Sequence, residues 1–361
     1  MSHIAIIGAG GMAGYHIKGF LKAGASIDAI CDVAIEKAQA IAQEYGIKKV
    51  YSSLEEMLEK ETELDSVSII LPNFLHCSTA IKCLNHGLNV YCEKPPALNA
   101  EEMKRMKEAS EKNNCLLVFD FNNRVRPESI ALKKYFDDGT MGKVNSAEAV
   151  WARRSGIPGI GGWFTNKEKS GGGPVIDLLH MIDLALYFMD YPTPSFVMAS
   201  TFDDFMGNPD FKGPWGIPDN AQGICNVESS CHAFVKFNNG SCLYIHNSWA
   251  EMIEREKVEV TIQGTIAGCS LSRTFKVDGI DDTAIDKCAL YTVENGTHVN
   301  RNLIVLPDPE MGRITNAQYF IETVENKRKA INNPKVALVL MKIIDALYLS
   351  TQSGKPIEIK D

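Results

Sequence analysis

The alternation of short apolar runs with helical patterns in the first 122 residues constrains the fold more than any other feature. Runs typical of buried strands lie at 3–7, 26–31, 67–71, 89–92 and 116–121. Helical patterns lie between them, at 12–23, 35–45, 74–86 and 99–113. Strands of this kind, separated by helices, are typical of a parallel sheet covered on both faces. We therefore predict that residues 1–122 form an α/β domain with a parallel sheet.

The sequence beyond residue 122 predicts a second domain of another class. Helical patterns occur at 127–138, 174–189, 314–329 and 334–350, and a strand pattern at 144–153. Asn238-Asn239-Gly240 separates two strand-like runs, which predicts a hairpin at 233–247. Residues 201–222 are rich in Asp, Gly and Pro and are expected to form a long loop. We predict an α+β domain at 123–361 with an open, mainly antiparallel sheet. Its last helix is a candidate to pack back on the first domain.

The composition argues against several classes of protein. Hydrophobic residues make up 45% and charged residues 23%, as in a globular protein and unlike a disordered chain. Lys plus Arg number 37 and Asp plus Glu number 45, so the net charge of −8 argues against nucleic acids and anionic membranes as partners. We find no sequence pattern of a membrane span or a signal peptide. The ten cysteines include no Cys-x-x-Cys pair, which indicates reduced thiols and a cytoplasmic protein.

A glycine-rich turn joins the first predicted strand to the first predicted helix. It has the Gly-x-Gly-x-x-Ala pattern and reads Gly8-Ala9-Gly10-Gly11-Met12-Ala13. Gly8 permits a tight turn, Gly10 lets a pyrophosphate approach the backbone, and Ala13 is small enough for the helix to pack on the strand. The helix N-terminus, which Gly11 and Met12 adjoin, offers unpaired N–H groups to a phosphate. A purely structural glycine turn is the alternative.

Asp32 ends the second predicted strand, 24 residues after Gly8. At this place in a dinucleotide-binding Rossmann domain, a carboxylate accepts hydrogen bonds from the adenosine ribose hydroxyls. The order of strand, turn, helix, strand and acid therefore favours an NAD-binding domain over a structural turn. A like-charge contact at ~4 Å costs roughly 1–4 kcal/mol, so Asp32 also predicts at least a tenfold preference for NAD over NADP.

Two further segments carry candidate catalytic groups. Lys94 follows the strand at 89–92 within Glu93-Lys94-Pro95-Pro96, and ligands of open α/β sheets lie beyond the carboxyl ends of the strands. Asp177 and His180 follow Gly171-Gly172-Gly173 in the helix predicted at 174–189, where an i, i+3 spacing places both on one face. A surface lysine and a core or capping histidine are the alternative interpretations.

Together these segments resemble the Gfo/Idh/MocA oxidoreductases, the family of glucose–fructose oxidoreductase and inositol 2-dehydrogenase. The resemblance extends over nearly the whole chain. It rests on the Gly8–Gly14 turn followed by His16, Pro72-Asn73-x-x-His76, Glu93-Lys94-Pro95, Asn123-Arg124 with Pro127, Gly171–His180, Ile344-Asp345-Ala346, and Ser350 through Gly354-Lys355. The Glu-Lys-Pro motif combined with Gly-Gly-Gly…Asp…His is specific, whereas the glycine turn alone is not. In one departure, His180 follows Asp177 by three residues, where family members usually have four.

The resemblance implies that Lys94, Asp177 and His180 form a catalytic site that oxidises a secondary alcohol with NAD. His180 suits the general base, because an imidazole has a reference pKa of ~6.5. Lys94 would favour the developing alkoxide, and Asp177 would orient the substrate or the imidazole. Besides Lys94, the residues implied to border the cofactor are Leu71, Pro72, Asn73, His76 and Glu93. Besides the three catalytic residues, those implied to contact substrate are Arg124, Arg153 and Trp163.

An aromatic face at Trp163 suits a sugar ring, and a loop anchor packed on the core is the alternative. The predicted function is therefore NAD-dependent oxidation of a secondary ring hydroxyl of a sugar, cyclitol or glycoside. The segment at 153–159 looks like that of family members proposed to work on glucosides, so C3 of a glucoside is the most specific expectation. The alternatives are a glycosidase that retains NAD and uses transient oxidation and elimination, and a non-enzymatic sugar-responsive regulator.

We predict no metal site. Cys225, Cys231 and His232 lie close in the sequence, but their spacing matches no common zinc pattern. Alternation along a strand sends Cys231 and His232 to opposite faces. A free face of the sheet in the second domain would commonly pair with another subunit, so we expect a homodimer or homotetramer.

Overall fold

The computed structural model describes residues 1–216, 219–277 and 283–360, without the side chains of 283–286. Residues 217–218 of the predicted loop at 201–222 therefore lie outside the described residues. The chain divides into two compact units, Met1–Val125 with Glu310–Leu338, and Arg126–Pro309 with Val339–Asp361. Where the sequence predicted contiguous domains at 1–122 and 123–361, residues 310–338 thus belong to the first unit.

The first unit contains a parallel six-stranded sheet with the order β3-β2-β1-β4-β5-β6. Its strands are β1 (His3–Ile7), β2 (Ser26–Cys31), β3 (Lys49–Tyr51), β4 (Ser66–Ile69), β5 (Asn89–Cys92) and β6 (Leu117–Phe119). The strand order reverses between β1 and β4, and in such sheets ligands bind beyond the carboxyl ends of the strands at this point. The predicted parallel α/β domain is confirmed.

Helices of the first unit are α1 (Ala13–Lys22), α2 (Ile35–Tyr45), α3 (Leu54–Lys60), α4 (His76–Asn85), α5 (Ala100–Asn113) and α10 (Arg313–Val324). Helix α10 lies against α1 at Gly19, where an added Cβ would lie 2.5 Å from the Cβ of Ala317. The core beneath them includes the rings of Phe20, Tyr91 and Phe320, all fully or almost fully buried. The predicted helix at 314–329 therefore completes the first unit.

The second unit contains a nine-stranded sheet with the order β14-β13-β12-β11-β7-β10-β9-β8-β15. Its strands are β7 (Val144–Ala152), β8 (Pro194–Phe202), β9 (Ser230–Phe237), β10 (Cys242–Ser248), β11 (Lys257–Gly264), β12 (Gly268–Phe275), β13 (Thr283–Glu294), β14 (Thr297–Asn302) and β15 (Ile357–Glu358). Neighbouring strands are antiparallel except β7 and β10, which are parallel. The predicted, mainly antiparallel sheet is confirmed, as is the hairpin of β9 and β10.

The remaining helices are α6 (Pro127–Asp137), α7 (Lys167–Ser170), α8 (Pro174–Asp177), α9 (His180–Phe188) and α11 (Pro334–Ser353). The prediction of one continuous helix at 174–189 is wrong, because the helix breaks at Leu178-Leu179. The Asn247 side-chain amide donates to the carbonyl of Leu178 at 3.1 Å, and so satisfies a backbone acceptor that the break frees.

Among the described helices, α11 alone is long and apolar enough to cross a bilayer. In its most apolar 18-residue window, 44% is buried within the protein. One helix of this kind is weak evidence for a membrane span, because a core helix has the same length and composition.

Candidate active site

In the glycine turn after β1, the fold requires Gly8, whereas protein packing does not require Gly10 and Gly11. Gly8 has φ +100°, and an added Cβ would lie 2.1 Å from the carbonyl oxygen of Ile70, so the fold itself requires this glycine. An added Cβ at Gly10 would meet Ile70 only at 3.6 Å, and one at Gly11 would meet nothing within 4 Å. Protein packing therefore leaves the backbone at Gly10 and Gly11 open to an incoming group.

The start of α1 is suited to an anion. Met12 at the N-cap gives the helix no side-chain cap, and the first turn, which includes Ala13, has no acidic residue. The positive end of the helix dipole therefore lies beside the open glycines, where the N–H groups of Ala13 and Tyr15 bond to the carbonyls of Gly10 and Met12. An open cavity of about 570 Å³ lies against this turn, lined in part by Gly10, Gly11, Gly14 and Tyr15. These residues fit the pyrophosphate of a dinucleotide.

Asp32 lies directly after β2 and holds the same turn. Its Oδ2 accepts the backbone N–H of Ala9 at 2.7 Å, and its Oδ1 accepts that of Ala34 at 2.8 Å. Each carboxylate oxygen has a second lone pair, so Asp32 can accept from ribose hydroxyls while it fixes the turn. The residues at the carboxyl ends of β1 and β2 therefore fit NAD.

Glu93 is buried beneath the Lys94 turn and is bonded to an imidazole. Its Oε1 lies 3.1 Å from Nε2 of His16, and its Oε2 accepts the backbone N–H of Lys94 at 3.0 Å. Nε2 of His16 also lies 3.3 Å from Asp120, and Nδ1 lies 2.8 Å from the Ser68 hydroxyl. Burial disfavours charge on His16, but the hydrogen bonds and charges of Asp120 and Glu93 outweigh it and raise its pKa to about 9. A buried imidazolium therefore anchors the turn that carries Lys94.

Arg124 belongs to the same buried polar network. Its guanidinium, fully buried, donates to the carbonyl of Ile331 at 2.5 Å and to Oδ1 of Asn332 at 2.9 Å. Asn332 donates to Asn316, and Asn316 donates to Asp120 at 2.7 Å. Sequence reasoning missed Asn316 and Asn332, which lie far from the other members along the chain. The implied contact of Arg124 with substrate stays a prediction, and the structure assigns it a structural contact.

The Leu71-Pro72-Asn73 segment follows β4 and is tied to the Lys94 turn by His76. The ring nitrogens of His76 lie 2.8 Å from the carbonyl oxygens of Pro95 and Leu71. The ring is fully buried, and burial lowers its pKa. Leu71 and Pro72 are half-buried, and Asn73 is buried. Their contacts with the cofactor stay predictions, and the structure adds that His76 holds the two loops together.

The glycines before α8 are required by packing. A Cβ at Gly172 would lie 1.7 Å from the hydroxyl oxygen of Tyr348, and one at Gly173 would lie 2.3 Å from the carbonyl oxygen of Glu228. The buried Oε1 of Glu228 accepts from the backbone N–H of Gly173 at 3.0 Å and that of Val175 at 3.5 Å. It also accepts from the Tyr348 hydroxyl at 2.8 Å. Glu228, which sequence reasoning missed, thus holds the start of α8.

Asp177 and His180 flank the helix break. Oδ2 of Asp177 accepts from the Trp249 indole at 2.9 Å and lies 3.8 Å from Nη1 of Arg153. The His180 ring lies against Trp151, with ring centroids 6.0 Å apart. Both side chains are half-buried, so His180 is not enclosed among the leucines of α9. The second unit therefore presents a carboxylate and an imidazole from one short segment.

Arg153 is fixed beside Asp177. Its Nε donates to Glu256 at 3.2 Å, and the same carboxylate oxygen accepts from the Trp151 indole at 2.7 Å. The guanidinium also lies over the ring of Trp215, 5.0 Å from its centroid. Because Glu256 holds both Arg153 and Trp151, the guanidinium is positioned before any substrate arrives.

Aromatic rings form a connected cluster near Arg153. Trp163 stacks on Phe164 at 3.8 Å, and Phe164 meets the edge of Trp215 at 5.5 Å between centroids. Trp215 lies 6.1 Å from Trp249, the residue that binds Asp177. Sequence reasoning proposed Trp163 but missed Trp215 and Trp249. A tryptophan inside the polar stretch at 201–222 was the one signal for Trp215.

Each unit presents its own set of functional groups. The first holds an amine, Lys94, on a rigid turn, together with a backbone suited to a dinucleotide. The second holds His180, Asp177 and Arg153 next to indole rings. Such groups can bind a polyhydroxylated ring, take up a proton and stabilise an alkoxide.

Comparison with known proteins agrees with this chemistry. Residues 2–121 match a family described as an oxidoreductase family with an NAD-binding Rossmann fold, and residues 130–268 match the GFO/IDH/MocA C-terminal domain. D-glucoside 3-dehydrogenase of Escherichia coli (strain K12) is 30% identical over 364 residues, 99% of this chain and 97% of that protein. The scyllo-inositol 2-dehydrogenase (NAD(+)) of Bacillus subtilis (strain 168) is 28% identical over 255 residues, 70% of this chain and 71% of that protein.

Solved structures share the fold at lower identity. Levoglucosan dehydrogenase in complex with NADH has a TM-score of 0.83 at 19% identity and covers 100% of this chain and 99% of its own. Family matches in both parts of the chain, with a relative that matches along its whole length, confirm the family, the Rossmann fold and NAD as cofactor. The chain belongs to the Gfo/Idh/MocA family of NAD-dependent oxidoreductases.

Proposed function

We propose that the protein oxidises a secondary ring hydroxyl of a glycoside, at C3 of a D-glucoside, with NAD. The observation that carries this is the group around α8, in which Asp177 and Arg153 lie beside Trp249 and Trp215. The ring of His180 lies against Trp151, whose ring Arg153 also contacts. Indole faces bind the C–H faces of sugar rings, and charged groups bind their hydroxyls. The full-length similarity to a D-glucoside 3-dehydrogenase supports the same substrate class.

In the proposed mechanism, NAD supplies the hydride acceptor when it is bound. The imidazole of His180 takes the hydroxyl proton as general base, and the Lys94 ammonium stabilises the developing alkoxide. Asp177, held by the indole of Trp249, orients the imidazole or the neighbouring hydroxyl. Arg153 and the indole rings hold the sugar so that one ring carbon is presented to the reaction.

Glucosides deuterated at C2, C3 or C4 test this proposal directly. Incubation with NAD should form reduced nicotinamide, and deuterium should appear in it only from the C3-labelled glucoside. Absence of turnover with every glycoside and polyol would contradict a dehydrogenase. Transfer from another carbon would contradict the assignment of C3.

The same assay separates the two alternative functions. A glycosidase that retains NAD would release the aglycone with no net reduced nicotinamide, and a non-enzymatic regulator would do neither. The named relatives above are dehydrogenases, which does not favour the glycosidase.

We also propose that the protein is cytoplasmic and that it assembles with a second copy of its own chain. All ten cysteines have free thiols, which supports a reducing compartment. Met198, Phe234 and Tyr244 occupy opposed positions on β8, β9 and β10 and form one row on a sheet face, each about 40% exposed. Contiguous apolar rows of this kind commonly mark an interface.

A further inference from the structure

Two histidines face each other on the sheet of the second unit, away from α8. His232 on β9 and His246 on β10 are directly opposed in the antiparallel register, and their rings stack with centroids 4.2 Å apart. Asn247, the next residue along β10, points to the opposite face, where it binds backbone carbonyls of the α8 segment. Alternation along the strand therefore places both imidazoles on the outer face of the sheet.

Glu251 brings a carboxylate to the same two rings. Its Oε1 lies 2.7 Å from Nε2 of His246 and 3.8 Å from Nε2 of His232. The segment before it is fixed, because the Ser248 hydroxyl accepts from the backbone N–H of Ala250, and Ala250 pairs with Ser155. The three side chains offer ligand atoms that all lie within 4.8 Å of one another.

The surroundings favour metal binding by His232. The Tyr244 hydroxyl lies 3.1 Å from its Nδ1, so a tautomer that donates from Nδ1 leaves Nε2 free as a ligand. In the single chain the side chains keep 18–38% exposure, which leaves a path for an ion, and they lie on the same sheet face as the apolar row of Phe234 and Tyr244.

We propose that His232, His246 and Glu251 bind one divalent transition-metal ion of the zinc type. Two imidazole nitrogens and one carboxylate oxygen suit zinc, whereas magnesium and calcium prefer oxygen ligands throughout. Tetrahedral zinc, with bonds of ~2.0–2.2 Å, holds its ligand atoms about 3.3–3.5 Å apart. This lies between the 2.7 Å and the 3.8 Å that separate Glu251 Oε1 from the two imidazoles. The metal would link the β9–β10 pair to the segment that carries Trp249 and thus stabilise the support of Asp177.

Sequence spacing could not predict this site. The candidate cluster of Cys225, Cys231 and His232 is separated in the structure, since Cys231 is buried within the sheet while His232 lies on the outer face. The other two proposed ligands, His246 and Glu251, come from β10 and the segment after it. The register of the β9–β10 hairpin places His246 opposite His232.

Zinc titration of the tag-free protein tests the proposal. Protein treated with a chelator and dialysed should bind about one equivalent of Zn²⁺ per chain in calorimetry, and its Tm should rise with Zn²⁺ concentration. Cobalt(II) at the same site should give the visible absorption of a tetrahedral ion. His246→Ala and Glu251→Gln should each lower the zinc affinity at least about tenfold.

Two control variants distinguish this site from other donors. His298→Ala removes an exposed histidine of β14 on the same sheet, and Cys225→Ser removes an exposed thiol, so both should bind zinc as the wild type does. Circular dichroism confirms that each variant is folded, and Tyr244→Phe, which keeps all three ligands, should weaken binding more mildly. Absence of one-equivalent binding, or unchanged binding in both His246→Ala and Glu251→Gln, would mean an adventitious ion only and would overturn the proposal.

Discussion

Asp32 determines at the scale of one residue which cofactor the first unit accepts. Its carboxylate fixes the glycine turn through the N–H groups of Ala9 and Ala34, so it cannot move aside for a 2′-phosphate without loss of both bonds. We expect kcat/KM with NAD to exceed that with NADP at least tenfold, because the like-charge contact costs roughly 1–4 kcal/mol. Asp32→Asn, which keeps an acceptor oxygen for the turn, should reduce this ratio.

A matched control removes another acid of the same strand. Asp28 lies on β2, but its carboxylate is bonded to His3 and Ser26. The ratio of kcat/KM with NAD to kcat/KM with NADP should therefore be the same in Asp28→Asn as in the wild type. Equal efficiency of the wild type with NAD and NADP would contradict this role of Asp32.

His16 makes the stability of the first unit depend on pH. Its pKa is about 9 in the folded protein and 6.5 as reference, so the folded state binds its proton more tightly. This stabilisation is complete below pH ~6.5 and is lost as the pH rises through ~9. At ~1.4 kcal/mol per unit of pKa, the loss in the free energy of unfolding amounts to at most about 3.5 kcal/mol.

Denaturant unfolding between these pH values measures the effect. Asp120→Asn removes one partner of the His16 imidazolium, so the loss of stability should occur at lower pH. His16→Gln should remove this part of the pH dependence. A wild-type protein whose stability stays constant or rises over this interval would argue against a charged His16.

At the scale of elements, most strands and helices of the first unit were predicted from the sequence. The candidate cofactor-binding residues that follow these strands were predicted as well. The motifs there are local, since Gly8 and Asp32 follow their strands directly. The break between α8 and α9 was not predicted, because Leu178 and Leu179 continue the apolar helical pattern. The side chain of Asn247, from a distant strand, donates to the carbonyl of Leu178 at the break.

Glu228 provides the test at this scale, because it positions α8 without contact to the reacting groups named above. Glu228→Ala leaves the N–H groups of Gly173 and Val175 without their acceptor, which costs about 1–3 kcal/mol for each group that stays buried. The displaced helix should lower kcat by ~10- to 10²-fold, with the KM for NAD unchanged. Steady-state kinetics with a turned-over glycoside measure both constants.

Two conservative variants separate positioning from general destabilisation. Glu228→Gln keeps an acceptor oxygen and should recover most of the kcat, and Tyr348→Phe removes only the hydroxyl bond and should have a milder effect. A wild-type kcat in Glu228→Ala would contradict the positioning role. A kcat of Glu228→Gln as low as that of Glu228→Ala would contradict it as well.

At the scale of the whole molecule, sequence could not predict that the first unit includes residues 310–338. Because α1 and α10 are far apart in the sequence, no sequence pattern indicates that α10 packs on α1 at Gly19. The network from Arg124 through Asn332 and Asn316 to Asp120 depends on the same return of the chain. The contacts of Arg124 with Asn332 and of Asn316 with Asp120 join segments about 200 residues apart. A single sequence contains no local pattern for such contacts.

The apolar row on the outer sheet face predicts self-association. Phe234→Glu places a charge in the middle of that row, so light scattering after size exclusion should give a smaller mass than for the wild type. Val293→Glu alters an exposed valine of β13 and should leave the mass unchanged. A monomeric wild type would contradict the proposed assembly.

The central claim is that an amine from the first unit and an imidazole from the second carry out one oxidation. Single-turnover formation of reduced nicotinamide from a glucoside tests it, in Lys94→Met and His180→Asn compared with the wild type. The account predicts that each variant slows hydride transfer by ~10²-fold or more while the Kd for NAD stays within about twofold. Hydride transfer at the wild-type rate in either variant, with NAD bound as before, would contradict it.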